Sequence, residues 1–100
     1  MNKHKVVIQN FAKEDVKEIC KWYNKQQKGL AKQFVAEMKQ TLFAIERNPT
    51  SFAIRFKNLR LANVEVFPYA IHFYIDEMSA TVFVVAVLHT KRHPDTSSTR

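Results

Sequence analysis

The hydrophobic period of this chain changes once, at Asn48-Pro49, and that change limits what it can fold into. Up to Asn48 apolar residues recur three and four positions apart, as on a helix; after Pro49 they alternate, as on strands. A proline pushes the residue before it out of the helical region, so a helix must stop there. Helices come first and a sheet follows, which predicts an α+β domain with segregated elements.

Before the first helix, Val6, Val7 and Ile8 are β-branched between polar neighbours, which predicts a short opening strand. Asn10 offers an N-cap, with Glu14 and Asp15 expected in the first turn. Ala12, Val16, Ile19, Cys20 and Tyr23 form one apolar stripe. Lys13, Lys17, Lys21 and Lys25 form a separate row, the pattern of a solvated face. Lys28 and Gly29, the only glycine, are expected to close this helix. Leu30, Phe34, Met38, Leu42 and Ile45 carry a second stripe. A turn of about one residue makes the two helices an antiparallel hairpin.

Beyond Pro49, Phe52, Ile54 and Phe56 alternate with Ala53, Arg55 and Lys57. Leu59 and Leu61 have the opposite parity to Val64 and Val66, which predicts a bend or bulge near Ala62-Asn63. Tyr69, Ile71, Phe73 and Ile75 face one way; His72, Tyr74 and Asp76 face the other. Thr81 to Leu88 is almost wholly apolar, as a strand buried on both faces would be. The expected architecture is an N-terminal strand, then an α-helical hairpin packed on a C-terminal antiparallel β-meander. Phe52, Ile54, Tyr69, Ile71 and Phe73 should lie under the helices, leaving the other sheet face for function. Residues 1–93 read as a single domain and 94–100 as a flexible tail.

Sixteen Lys and Arg against nine Asp and Glu give a formal charge of +7, which suits an anionic partner. The basic groups cluster. No acid falls between Glu46 and Glu65, where Arg47, Arg55, Lys57 and Arg60 lie. The late chain carries His89, Lys91, Arg92 and His93. Arg60 and Arg92 are the stronger contact candidates, because guanidinium forks fit phosphate or carboxylate. Arg55 and Lys57 serve equally well as edge charges that discourage aggregation. His72, alternating outward, is expected to share a surface with His89. Trp22 reads as packing.

Several chemistries are excluded. One cysteine permits no internal disulfide and no cysteine metal site, and His72 with His89, lacking a third ligand at fixed spacing, make no zinc set. One glycine permits no Gly-rich phosphate loop. No cofactor is implied. Nothing in the chain reads as a signal peptide or a membrane span, so a cytoplasmic protein is expected, with no membrane partner.

A family resemblance rests on blocks spread along the chain: Trp22-Tyr23 before Gly29-Leu30 and Phe34, then Asn48-Pro49, then Arg60-Leu61. Val66-Phe67-Pro68-Tyr69-Ala70-Ile71, Val85-Ala86-Val87-Leu88-His89 and Arg92-His93-Pro94 complete the set. In order and spacing these resemble the RelE/ParE superfamily of toxins. The resemblance implies a toxin of a type II toxin–antitoxin module, neutralised by a cognate antitoxin and touching operator DNA only through it. RelE-like members cut messenger RNA on the ribosome without metal, by phosphate-stabilising cations and a general base. In that mechanism the catalytic candidates would be Arg60, His89 and Arg92.

ParE-like members inhibit DNA gyrase. The chain lacks the aromatic residue near the C-terminus and the lysine pair of many nucleases, and its His89-to-Pro94 block resembles the ParE side. Gyrase is therefore the favoured target and ribosome-bound mRNA the alternative. An inactive toxin-like partner or co-repressor is the third reading. Arg55, Lys57, Arg60, His72, His89, Lys91, Arg92 and His93 are the expected contacts for partner or target.

Overall fold

A computed structural model describes residues 4–91. Strand β1 (Lys5–Ile8) leads into helix α1 (Asn10–Gln26), and α2 (Leu30–Arg47) follows it. A 3₁₀ turn at Pro49–Ser51 starts the second half, with β2 (Ile54–Phe56), β3 (Leu59–Asn63), β4 (Tyr69–Asp76) and β5 (Thr81–His89). All five strands join one sheet in the order β1-β5-β4-β3-β2. The meander from β2 to β5 is antiparallel, as expected, but β1 runs parallel to β5.

The hairpin buries Ala12, Ile19 and Tyr23 from α1 against Ala31, Phe34, Met38, Thr41 and Ile45 from α2. Thr41 keeps its hydroxyl satisfied by donating to Glu37 O at 3.0 Å. Under the hairpin lie Ile71, Phe73, Val82, Val84 and Val87 from the sheet. Phe34 and Phe73 are fully buried, so truncating either to alanine costs about 3–5 kcal/mol.

The helix ends differ from expectation in detail. Gln9, not Asn10, takes the cap position, and no side chain caps the helix. Asp15 and Glu14 fall beyond the first turn, so the helix dipole does not explain them. The first helix ends at Gln26, short of Gly29. Gly29 instead precedes α2 with φ +90. A Cβ there would touch nothing within 4 Å, so the backbone angle, not space, calls for glycine.

The sheet differs more. Phe52 ends the 3₁₀ turn, which shortens β2 to three exposed residues. Ile54 is half exposed rather than buried under the helices; β2 is an edge strand of the sheet. The parity change after Leu61 is the end of β3 at Asn63, not a bulge within a strand. The long bulge is in β5. His72 pairs with Ala86 but Phe73 with Val84, so Val85 is an extra residue without a cross-strand partner. A bulge reverses which side chains face the core. Val82 and Val84 point under the helices before it, and Val87 does so after it.

Candidate functional site

The sheet face away from the helices is apolar at its centre, while the row Lys5, Thr81 and Asp76 at one end carries charge. One row across it is Val7, Phe83 and Tyr74, from β1, β5 and β4. The next is Leu61, His72 and Ala86. Tyr74 and Phe83 are cross-strand partners whose rings stack with centroids 5.3 Å apart. Apart from Ala86 these side chains are only partly buried. Such a surface suits docking of another protein, because it offers area and few fixed charges.

Among the described residues, the expected basic cluster does not form on this face. Arg60 pairs with Phe73, so it projects on the helix side. Its Nη1 donates to Phe52 O at 2.7 Å and Thr50 O at 3.5 Å. The guanidinium thus ties the 3₁₀ turn to β3. His89 pairs with Tyr69, and their rings meet edge to face at 5.1 Å. Tyr69 packs against Tyr23 and Phe34 of the hairpin, so His89 also lies on the helix side. His72 lies on the opposite face. The expectation that the two histidines share a surface is corrected, and the Val85 bulge is the physical reason. His89 Nδ1 accepts from Lys91 N–H at 3.1 Å. Arg55 and Lys57 sit on and beside β2, with the Lys57 ammonium 5.6 Å above the exposed Phe56 ring. Arg92 and His93, like the expected tail, lie outside the described residues.

A groove of about 530 Å³ opens between α1 and the end of β5. Lys21, Trp22, Lys25, Tyr69 and His89 are among its walls. β1 ends at Ile8, opposite Val84, so among the described residues the second half of β5 has no strand on that side. Asp15 fills part of the gap, its Oδ2 accepting from Val87 N–H at 2.9 Å. Trp22 was legible as packing, yet it is 45% exposed and edges the groove. Its place one position off the Ile19–Tyr23 stripe was the available signal. Cys20 is partly buried, and desolvation pushes its thiol pKa above the ordinary value.

Among the described residues, no cluster of three or more His, Cys, Asp or Glu is placed to share a metal ion. No helix among them is long and apolar enough to cross a membrane.

The family model for the ParE toxin of the type II toxin–antitoxin system parDE matches residues 6–94. No curated protein matches the chain in sequence. Solved structures match its fold. The chromosomal ParDE system of P. aeruginosa superposes with a TM-score of 0.76 at 13% identity, covering 89% of this chain and 98% of that one. The RelBE2 toxin–antitoxin complex of Mycobacterium tuberculosis gives 0.66 at 19% identity, covering 89% and 93%. The isolated RelE toxin of E. coli gives 0.57 at 11% identity, covering 96% and 94%. At these identities the structures speak for the fold, two helices on a five-stranded sheet, and the family match speaks for descent.

Proposed function

Because the chain belongs to the ParE toxin family of type II toxin–antitoxin systems, we propose that it arrests growth by binding DNA gyrase as a protein ligand. A cognate antitoxin holds it silent, and operator DNA is reached only through that antitoxin. The observation that carries this reading is the apolar centre of the sheet face that the described residues leave uncovered, with Tyr74 stacked on Phe83. A nuclease needs cations around a scissile phosphate and a base beside the attacking hydroxyl. Here Arg60 is occupied by the Phe52 and Thr50 carbonyls, and His72 and His89 stand on opposite sides of the sheet. Neither arrangement favours phosphate chemistry. Both leave room for binding through area.

Purified protein in a gyrase supercoiling assay, run beside a ribosome-dependent mRNA cleavage assay, tests the proposal. The expected result is lost supercoiling or stabilised DNA cleavage, with intact mRNA. Cleaved mRNA and unaffected supercoiling would replace this reading with the ribosomal one. Expression that leaves growth untouched in the native host would favour an inert partner or co-repressor.

A further inference from the structure

The apolar row through Val7, Phe83 and Tyr74 continues to the far edge of the sheet. Arg60 pairs with Phe73 on the helix side, so Leu59, one residue earlier, projects onto the opposite face beside Tyr74. Phe56 is the cross-strand partner of Leu59 and shares that face. Its ring is 52% exposed. The row thus draws on all five strands, from β1 to β2.

His72 stands in the middle of the adjoining row. β3 sets Leu61 on one side of it and β5 sets Ala86 on the other. Along β4 its neighbours on the same face are Ala70 and Tyr74. The residue is partly buried by the described fold. A partner laid on the aromatic row therefore covers the imidazole as well.

The charged and titratable groups around it belong to the margins. Lys5 of β1 and Asp76 of β4 lie in the row at one end, and Asp76 is four residues from His72, about 13 Å along the strand. β2 brings Arg55, with the Lys57 ammonium over the Phe56 ring beyond it. β3 turns Arg60 and β5 turns His89 to the helix side, and Glu65 falls in the loop after β3. Tyrosine, the side-chain type at position 74, ordinarily keeps its proton near neutrality, whereas histidine ordinarily changes charge between pH 5 and 8. Among the described residues, His72 is thus the group at the centre of this face whose charge depends on pH in that range. Covering a neutral imidazole costs little; covering an imidazolium takes a charge out of water.

We propose that His72 regulates this docking face: the neutral imidazole admits the target protein, and protonation opposes it. The inference rests on the gyrase reading above and adds the condition under which that contact forms. A proton held by the free toxin must leave on docking. Affinity is therefore full above the range in which His72 titrates and falls as pH drops through it.

Calorimetric titration of purified gyrase with the toxin, at about pH 8 and about pH 5.5, tests this. Wild type should lose about tenfold in affinity at the lower pH, the loss expected when one histidine of ordinary basicity must shed its proton. Heats recorded at the lower pH in two buffers of different ionisation enthalpy should count about one proton released per toxin bound. His72→Gln takes up no proton, so its affinity should change by less than about twofold over the same interval. His72→Lys carries a fixed charge and should bind about tenfold more weakly than wild type at the higher pH. Melting curves at both pH values confirm that each variant is folded. An equal fall in wild type and His72→Gln overturns the proposal, since the proton then acts elsewhere. A folded His72→Lys protein that binds like wild type overturns it, as does tighter wild-type binding at the lower pH. Each of these leaves the gyrase reading standing. A folded wild-type chain that binds gyrase at neither pH overturns that reading and the proposal with it.

Discussion

The carboxylate of Asp15 in α1 takes the Val87 N–H of β5 at 2.9 Å, the place a neighbouring strand's carbonyl would occupy. β1 has already ended, so this side chain closes an otherwise open strand edge. Asp15→Ala strands a partly buried donor, which costs about 1–3 kcal/mol. For a domain this size that lowers the thermal midpoint by roughly 4–8 °C per kcal/mol. Asp15→Asn keeps an acceptor oxygen and should lose less. Amide exchange at Val87 is the direct readout, and protection unchanged in Asp15→Ala would contradict the assignment.

Arg60 holds the Phe52 and Thr50 carbonyls rather than a ligand. Arg60→Ala should therefore destabilise the fold by about 1.5–3 kcal/mol, the worth of hydrogen bonds from a charged donor. Any loss of growth arrest should follow the loss of folded protein in melting and expression measurements. A fully stable Arg60→Ala protein that no longer arrests growth would return Arg60 to the target surface.

Tyr74 and Phe83 tile the centre of the uncovered face. Tyr74→Glu places a charge on that surface without touching the hairpin core. The expected outcome is a melting curve within a few degrees of wild type. On the proposed gyrase reading, inhibition should fall by about tenfold or more, as at an interface hot spot. Full inhibition by a folded Tyr74→Glu protein would move the target contact elsewhere.

Cys20 offers a pH-dependent readout. Desolvation raises its thiol pKa above the ordinary 9.0. The folded chain thus keeps the neutral thiol at pH values where the unfolded chain has begun to ionise. Its contribution to stability is complete below 9.0 and is lost as pH rises through the folded value. Since the thiolate is the reactive form, alkylation at pH 8 should run slower in the native protein than after denaturation. Equal rates in the two states would argue against the shift.

The helical half was legible because each helix shows one apolar stripe, and both stripes are the buried ones: Ile19 and Tyr23, Phe34 and Met38. The meander was legible where polar and apolar residues alternate cleanly, as at Ile71 and Phe73. β5 hid its facing for a physical reason. Val82 through Leu88 is apolar at both parities, so an inserted residue leaves no mark on the pattern. The Val85 bulge then sends His89 toward Tyr69 instead of toward His72. Arg60 was read as a ligand-facing cation because its acceptors, the Phe52 and Thr50 carbonyls, are main-chain atoms that no side-chain pattern reveals. Pairing of β1 was equally silent, since a four-residue strand carries no signal for its neighbour.

That pairing sets an order of events during synthesis. Among the described residues, residues 5–8 find their only strand partner in residues 81–84. The hairpin can form as soon as it clears the ribosome, while the first strand waits for nearly the last. A chain halted anywhere before β5 holds two helices with an unsheltered underside and a leading segment with nothing to zip against. Completion of the sheet is thus a late step, and a chain cut short before β5 cannot close it.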